Sequence, residues 1–265
     1  MQRLKNPLIT LTTDFGEQDF YVAAMKGVIM TRCPEATLLD LSHTLPAQDI
    51  MAAALLLEGS VCCFPDETVH AVVVDPGVGS SRRPIAARLA EQYFVCPDNG
   101  LLTLILKKHP LIEARIITNP SCMMPTVSTT FHGRDVLAPT AAYLASGEPF
   151  SEIGPVIETL QILDIPEPAW TGETTITGTV IHVDSFGSLV SNITRESIQD
   201  RKVHQIRMGP LVLDDIRKTF SDVPAGKPVA YFGSSERLEV AINCGHAARE
   251  YGVACGDSIA VEVSP

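Results

Sequence analysis

The sequence predicts two domains: an N-terminal α/β domain with a mostly parallel, Rossmann-like sheet, and a smaller C-terminal all-β barrel. Up to Gly154, apolar runs typical of strands alternate with segments of helical periodicity. The next segment is rich in proline and contains the single tryptophan, Trp170, which is typical of a connector. From residue 173 onward, short β-like runs separated by turn residues dominate. The predicted bounds are 1–165 for the α/β domain, 166–172 for the linker and 173–265 for the barrel.

The elements of the N-terminal domain follow from the spacing of apolar residues. Residues 69–75 form a continuous apolar run that ends in an aspartate, which is typical of a central strand buried on both faces. Residues 47–61 are rich in alanine and leucine, which favours a helix. Pro139 is expected to break or kink a helix over 134–145. The other predicted strands are 8–13, 37–41, 85–89, 92–96 and 113–117, and the other predicted helices are 19–32 and 100–107.

Five β-like runs predict the C-terminal barrel. They are residues 174–184, 202–209, 227–233, 237–243 and 257–263. They are rich in β-branched or aromatic residues, and turn residues separate them.

Composition restricts the function classes. Hydrophobic residues make up 45% of the chain and charged residues 19%, as in a globular protein, and the net charge is −11. An acidic chain without lysine and arginine clusters is a poor candidate for binding nucleic acid or an anionic membrane. The seven cysteines are odd in number and form no C-x-x-C pair, so we expect reduced thiols, no zinc site and a cytoplasmic location. No signal peptide or membrane-spanning run is evident.

Polar residues follow the predicted strands repeatedly. Asp14 follows the first strand, Asp75 ends the central apolar run, and Asp98-Asn99 follows a third strand. The segment Thr130–Asp135 lies just before a predicted helix. Because ligands of open parallel sheets bind beyond the carboxyl ends of the strands, these residues predict a site at that edge.

The turn Asp14-Phe15-Gly16 is compatible with three roles: a kinase-like magnesium ligand, a phosphatase-like metal ligand, or a carboxylate that binds a sugar. The kinase role is excluded, because the chain upstream is too short for a glycine-rich loop and a catalytic loop. No Walker loop or G-x-S-x-G elbow occurs. A metal site stays possible, although no ligand spacing supports it specifically; its candidate ligands are Asp14, Asp19, Asp75, Asn99 and His132.

Six motifs together resemble one family over nearly the whole chain. They are TDFG, VVDPGVGSSRR, PDNGLLT, TFHGRD, VDSFG and GSSERLEVAINCG, in this order. They are similar to the S-adenosyl-L-methionine (SAM) hydrolases, also called SAM hydroxide adenosyltransferases, which are relatives of the fluorinase and chlorinase. The resemblance implies an α/β domain followed by a β-barrel, and a homotrimer with sites at subunit interfaces. It also implies hydrolysis of SAM to adenosine and methionine without a cofactor.

The resemblance implies roles for residues of both domains. The catalytic set falls on Asp75, Arg82 and His132. In the N-terminal domain, Asp14 would accept hydrogen bonds from both ribose hydroxyls, Asp19 and Tyr21 would lie near the methionine end, and Thr130 and Phe131 would line the ribose pocket. In the C-terminal domain, Asp184 would bind the methionine amino group, Ser234 and Ser235 its carboxylate, Phe186 and Phe220 the faces of adenine, and Asn243 and Cys244 its edge.

Departures from the family patterns favour hydrolysis over halide transfer. The halogenases carry tyrosine where this chain has Asp75, and a Tyr-Ser pair where it has His132-Gly133. They also have an insertion that is absent here between Arg88 and Tyr93. Ser188 stands where the hydrolases have an asparagine that contacts adenine, so base recognition is expected to differ here.

Two other functions are alternatives to SAM hydrolysis. They are a non-catalytic sensor of SAM or a nucleoside, and a metal-dependent nucleotidase.

Overall fold

The computed structural model describes residues 6–199 and 201–265. The chain divides into two compact units between Leu163 and Asp164, and each unit has its own core. Among the described residues, no helix is long and apolar enough to cross a membrane.

The first unit is built on a mixed six-stranded sheet with the order β2-β1-β3-β5-β4-β6. Its strands are β1 (Leu8–Thr13), β2 (Thr37–Ser42), β3 (Val69–Val73), β4 (Pro84–Leu89), β5 (Gln92–Pro97) and β6 (Glu113–Ile116). The β2-β1-β3-β5 part is parallel. Strand β4, however, runs antiparallel to both of its neighbours, β5 and β6. The expectation of a mostly parallel sheet is therefore correct for four strands and wrong for the β4-β6 edge.

Helices cover both faces of this sheet. They are α1 (Tyr21–Arg32), α2 (Ile50–Ser60), α3 (Thr103–Lys108) and α4 (Ala138–Ala145). On one face, Ile9 and Val73 belong to the same buried cluster as Met25 of α1. On the other face, Val72 belongs to a second cluster with Leu57 of α2. Alternate residues of β3 thus enter opposite cores, which confirms the prediction of a central strand buried on both faces.

The predicted break in the fourth helix takes a specific form. Gly133–Leu137 form a π-helical turn, which continues directly into α4. Pro139, at the start of α4, has no N–H to donate to the carbonyl groups of the preceding π turn, which accounts for the irregular hydrogen bonding at this junction. His132 immediately precedes the π turn, so this irregular backbone determines where its side chain projects.

A buried histidine at the centre of the sheet makes the stability of the first unit dependent on pH. His70 on β3 is fully buried between Thr10 and Gln92 and stacks on Phe94. Burial lowers the pKa of His70 to about 4, against 6.5 in its ordinary state. Because the folded pKa lies below the unfolded one, this contribution to stability is complete above pH 6.5 and decreases as the pH falls towards 4.

We therefore expect chemical denaturation of the protein to show a loss of up to about 3 kcal/mol between pH 6.5 and 4 that depends on His70. The variant His70→Gln cannot titrate, so its unfolding free energy should vary less over this range. The exposed His204, substituted in the same way, is the matched control. If the unfolding free energies of wild type and His70→Gln changed equally with pH, the lowered pKa assigned to His70 would be contradicted.

The second unit is a nearly closed antiparallel sheet with the order β11-β10-β14-β8-β9-β13-β12. Its strands are β7 (Ala169–Thr171), β8 (Thr175–Val183), β9 (Leu189–Thr194), β10 (Val203–Met208), β11 (Leu211–Leu213), β12 (Pro228–Phe232), β13 (Arg237–Ile242) and β14 (Ser258–Val263). Arg217, just after β11, donates its N–H to Ala230 O on β12 at 2.8 Å, which brings the two ends of the sheet together.

The second unit differs in detail from the predicted all-β barrel. A short helix, α5 (Ala247–Tyr251), follows β13. Strands β9 and β11 were not among the predicted runs, and β7 lies within the predicted linker and pairs with β8. The interior is apolar, with Leu189, Leu238 and Ile259 fully buried.

Candidate functional site

The parallel strands of the first unit bring the predicted polar residues to one edge. Asp14 directly follows β1, Asp75 follows β3 after one residue, and Asn99 follows β5 after one residue. Strands β1, β3 and β5 are parallel neighbours, so their carboxyl ends lie side by side. Asn99 links the ends of β5 and β3, because its side-chain N–H donates to Val74 O at 2.9 Å.

Asp75, Arg82 and His132 are in direct contact. Arg82 Nε donates to Asp75 Oδ1 at 2.9 Å, and Arg82 Nη2 donates to Asp75 Oδ2, which makes the pair bidentate. Arg82 Nη2 also lies 2.9 Å from His132 Nδ1. The side chains of Asp75 and Arg82 are only 4% and 8% exposed. These three predicted residues, from two separate segments of the chain, therefore form one polar group in which the side chains of Asp75 and Arg82 are buried.

The contact with Arg82 determines which nitrogen of the His132 ring carries a proton. A guanidinium can only donate hydrogen bonds, so His132 Nδ1 is the acceptor and the neutral ring carries its proton on Nε2. Burial and the positive charge of Arg82 both lower the pKa of His132, against the opposing effect of Asp75 and Asp135. His132 is therefore neutral at physiological pH, with an N–H group on Nε2.

A close backbone contact holds the two loops of this group together. Gly79, in the loop between Asp75 and Arg82, has a φ of +76°, a conformation that glycine adopts without strain. A Cβ atom at Gly79 would collide with Thr129 O, in the segment that leads to His132. The loop after β3 and the segment before the π turn can therefore approach closely only with glycine at this position.

Contacts between aromatic rings link the turn that contains Asp14 to the segment that precedes His132. Asp14 Oδ2 accepts the backbone N–H of Gln48 at 2.8 Å. The Phe15 ring centroid lies 5.5 Å from that of Tyr21 and 5.9 Å from that of Phe131. Because Phe131 immediately precedes His132, the Asp14 turn is in contact with the segment that contains His132.

The remaining predicted residues of the first unit lie on its surface. Asp19 and Thr130 are both exposed, and Thr130 is hydrogen bonded to Ser128 through its backbone N–H and its hydroxyl. Phe20, which the sequence did not single out, is 63% exposed and stacks 4.8 Å from Tyr21.

In the second unit, Asp184 begins the turn between β8 and β9. Its Oδ1 accepts the backbone N–H groups of Phe186 at 2.9 Å and Ser188 at 2.7 Å, which orients the carboxylate. Ser188 is buried, whereas the Phe186 ring is 79% exposed. A phenyl ring presented to solvent on a fixed turn offers a flat apolar face to a ligand or partner.

Two residues that the sequence did not single out lie beside this turn. Tyr231 on β12 and Glu239 on β13 are paired across the strands, and the Tyr231 hydroxyl donates to Glu239 Oε2 at 2.6 Å. Burial raises the pKa of Glu239, and the nearby charge of Asp184 raises it further, against the lowering effect of the Tyr231 hydrogen bond. Two carboxyl groups in this arrangement favour a ligand with a positively charged group.

The other predicted residues of the second unit lie near the β12–β13 pair. Phe220 packs on Tyr231, with ring centroids 4.6 Å apart. Ser234 and Ser235 follow Gly233, where a Cβ atom would collide with the Glu239 carboxylate. Asn243 is held by a hydrogen bond from its side chain to Val223 O at 2.7 Å.

Cys244 and its neighbours connect to the Asp184 turn through the start of α5. Cys244 is exposed and has a φ of +59°. His246, two residues on, packs against Gly187, and the Ala248 N–H donates to Gly187 O at 3.0 Å. The segment that contains Asn243 and Cys244 is thereby anchored to the turn that contains Phe186.

We also searched for a metal centre. Within residues 6–199 and 201–265, no group of three or more histidine, cysteine, aspartate or glutamate side chains is arranged to hold a metal ion. The candidates of these residue types proposed from the sequence, Asp14, Asp19, Asp75 and His132, do not form such a group. Of these, His132 and Asp75 are instead both in contact with Arg82.

Comparisons with known proteins match both units. The model of the SAM hydroxide adenosyltransferase N-terminal domain matches residues 9–154, and that of the C-terminal domain matches residues 178–260. An (R)-S-adenosyl-L-methionine hydrolase of Thermus thermophilus is 38% identical over 248 residues, which cover 91% of this chain and 94% of the relative. A fluorinase of Actinoplanes sp. is 27% identical, with 97% of both chains covered.

A solved structure agrees with these matches. It is that of an uncharacterised conserved protein from Thermotoga maritima, which is 34% identical to this chain. The alignment has a TM-score of 0.88 and covers 96% of this chain and 99% of that one.

Proposed function

This chain belongs to the SAM hydroxide adenosyltransferase family, and from that premise we propose that it hydrolyses SAM to adenosine and L-methionine. The observation that carries the proposal is the direct contact of Asp75, Arg82 and His132 at the carboxyl edge of the sheet. A water oxygen forms a bond to the ribose C5′ atom, and the C5′–S bond breaks. Its electron pair leaves with the sulfur as the neutral thioether of methionine, and one proton is released.

This chemistry requires positioning more than acid catalysis. The sulfonium leaves as a neutral thioether, so the leaving group needs no proton. The attacking water becomes strongly acidic as it bonds to carbon, so it can lose its proton late, to a weak base or to solvent. The demanding step is to hold a weak nucleophile in line with the C5′–S bond, and a rigid polar group achieves this.

Arg82 and His132 are suited to positioning the water because both can donate hydrogen bonds to it. His132 Nε2 carries a proton, which it can donate to one lone pair of the water oxygen while the other lone pair attacks carbon. Arg82 Nη1 is buried and, within the described part of the chain, no group accepts its hydrogen bond. Asp75 holds the guanidinium in place through two parallel hydrogen bonds.

We assign most substrate contacts of the first unit to the ribose, and two to the methionine end. Asp14 has two carboxylate oxygens, which suit the vicinal hydroxyls of ribose. The Gln48 N–H on Oδ2 orients this carboxylate and leaves both oxygens with further acceptor capacity. Phe131 and Thr130 line the ribose pocket, and Asp19 and Tyr21 lie towards the methionine end.

We assign the second unit to the amino acid and the base. Asp184, with Glu239 nearby, binds the methionine ammonium, and Ser234 and Ser235 bind its carboxylate. Phe186 and Phe220 flank adenine, while Asn243 and Cys244 approach its edge. Ser188 is buried and its backbone N–H binds Asp184, so it acts on the base through a water molecule or not at all. A homotrimer, in which each site draws residues from two subunits, is part of the same proposal and is measurable by analytical ultracentrifugation.

The first test is incubation of the purified protein with SAM in the presence of EDTA, followed by chromatography of the products. We expect equal amounts of adenosine and methionine, with a rate that EDTA does not change. Because the Thermus relative is named for the (R) epimer, the assay uses the separated (R) and (S) sulfonium epimers. Added chloride or fluoride should yield no halogenated nucleoside.

The alternatives predict different outcomes. A metal-dependent nucleotidase would lose activity in EDTA and would release phosphate from nucleotides. A sensor would bind SAM tightly and return it intact. Failure to bind SAM, adenosine or methionine would contradict the proposal as a whole.

A further inference from the structure

The turn that contains Asp14 is tied to one buried histidine that the reaction itself does not use. Thr13, the last residue of β1, is fully buried, and its Oγ1 lies 2.9 Å from His43 Nδ1. The same Thr13 oxygen accepts the backbone N–H of Phe15 at 3.3 Å. The Gly16 N–H donates to the backbone oxygen of His43 at 2.7 Å. His43 therefore contacts the residues on both sides of Asp14.

The His43 ring is itself held in place by its surroundings. His43 directly follows β2, and its side chain is 6% exposed. Its Nε2 lies 3.0 Å from Asp40 Oδ1, although not in hydrogen-bonding geometry. Lys26 Nζ on α1 donates to the other oxygen, Asp40 Oδ2, at 2.6 Å. Lys26 and the His43 ring thus both face the same carboxylate from different elements.

The donor and acceptor roles follow from these contacts. Thr13 Oγ1 receives an N–H from Phe15, so its own proton is available for His43 Nδ1. The neutral His43 ring then carries its proton on Nε2, towards the Asp40 carboxylate, which favours this tautomer. Gln48, five residues after His43, donates to Asp14 itself. One segment, residues 43–48, therefore holds the Asp14 turn at three points.

We propose that His43 is a positioning residue for ribose recognition: through Thr13 and Gly16 it fixes the turn in which Asp14 meets the ribose hydroxyls. The inference rests on the proposed function, because the ligand of Asp14 is the nucleoside. It extends that function by making nucleoside affinity depend on a residue that does not touch the nucleoside. The chemical step at Asp75, Arg82 and His132 needs no direct help from His43.

Strand β1 contains a matched control for this inference. Thr10 Oγ1 lies 2.7 Å from His70 Nδ1, and all four side chains of the two threonine–histidine pairs are buried. The substitutions Thr13→Val and Thr10→Val each remove one hydroxyl from the same strand and the same kind of hydrogen bond. Only the Thr13 pair adjoins the Asp14 turn, so a general effect on stability and an effect on the turn can be separated.

The experiment measures the adenosine Kd by calorimetry for wild type, Thr13→Val, Thr13→Ser, His43→Leu and Thr10→Val. We expect His43→Leu to raise the Kd about tenfold, and Thr13→Val to raise it at least as much, because Thr13→Val also removes the acceptor of the Phe15 N–H. The double variant should resemble Thr13→Val alone, because the Thr13–His43 hydrogen bond can be lost only once. Thr13→Ser, which keeps the hydroxyl, and Thr10→Val should stay within about twofold of wild type. In SAM turnover, the two disruptive variants should raise KM more than they lower kcat.

Hydrogen exchange of the peptide over residues 14–20 gives a readout that needs no ligand. Exchange at the Gly16 amide should accelerate in Thr13→Val and His43→Leu, but not in Thr10→Val. The inference is overturned if Thr10→Val and Thr13→Val weaken adenosine binding equally, if the two site substitutions are additive, or if Gly16 exchange is unchanged. Failure of the proposed function is distinguishable, because it would appear as a wild-type protein that binds neither adenosine nor SAM.

Discussion

The substitution His132→Ala is expected to lower kcat for SAM hydrolysis by about a hundredfold, with a smaller change in KM. The reason is geometric: His132 Nδ1 is engaged by Arg82 at 2.9 Å, so the free Nε2–H is a donor that can place the attacking water. Loss of such a positioning group typically costs about 10²-fold in rate. Steady-state kinetics with SAM as substrate would measure both parameters.

A pair of amide substitutions tests which ring nitrogen matters. Glutamine places its amide near the position of Nε2 and asparagine near that of Nδ1, so His132→Gln should retain more activity than His132→Asn. Because an amide offers both a donor and an acceptor, this comparison locates the ring nitrogen that meets the water. A rate for His132→Asn equal to or above that of His132→Gln would therefore contradict the assignment of the water contact to Nε2.

The pH dependence of wild type follows from the same contact. Burial and Arg82 lower the pKa of His132, so the ring stays neutral at and below its ordinary value of 6.5. As the pH falls through the lowered pKa, Nδ1 gains a proton and can no longer accept from Arg82. We expect kcat to be constant above pH 6.5 and to decline only at lower pH, and this decline should be absent from the residual activity of His132→Gln.

The first unit was largely predictable from the sequence because its signals are local and redundant. The apolar run 69–75 predicts a central strand, and β3 indeed contributes residues to two different cores. A polar residue after each parallel strand predicts a common edge, and Asp75 and Asn99 do lie there. The antiparallel course of β4 had no such signal, because strand direction depends on pairing partners distant in sequence.

In the second unit, the apolar periodicity of the sequence did not predict strands that contain buried polar residues. Strand β9 contains Ser191 and Asn192, both buried polar residues that interrupt an apolar pattern. Their hydrogen bonds, from Ser191 Oγ to Leu238 O and from the Thr179 N–H to Asn192 Oδ1, exist only in the folded sheet. Tyr231 and Glu239 were missed for a similar reason, since their relevance arises from the pairing of β12 with β13.

The arrangement of individual site residues depends on contacts between segments that are distant in sequence. His43 lies outside the six motifs on which the family resemblance rests, and only its contacts with Thr13 and Gly16 connect it to Asp14. Asp75, Arg82 and His132 were identified together by resemblance, and the structure adds their hydrogen-bond directions. Those directions matter, because they separate a water-positioning His132 from a general base.

The substitution Arg82→Ala is expected to lower the free energy of unfolding by about 3–5 kcal/mol as well as to abolish turnover. Asp75 and Arg82 have side chains only 4% and 8% exposed, so removal of the guanidinium leaves a buried carboxylate without its counterion. The cost of such an orphaned charge exceeds the net contribution of the intact pair, because desolvation is no longer offset. Denaturant unfolding, monitored by circular dichroism, would measure the loss.

A double substitution distinguishes this mechanism from a simple loss of packing. The variant Arg82→Ala/Asp75→Ala removes the orphaned charge together with its partner, so it should be more stable than Arg82→Ala alone. If the two single losses instead add, Asp75 and Arg82 do not act as a coupled buried pair. That result would also weaken the argument that Asp75 holds Arg82 in position for the water.

The neighbouring Arg83 is the matched control for this prediction. Arg83 pairs with the buried Asp98, but its own side chain is 32% exposed, and Asp98 Oδ1 also accepts the Gln161 N–H at 2.8 Å. After Arg83→Ala, water can reach the carboxylate and one backbone donor remains, so the loss of stability should be smaller. Alanine variants of these two adjacent arginines should therefore differ in both stability and turnover. In the Arg82–Asp75 pair both side chains are buried, and Arg82 also contacts His132.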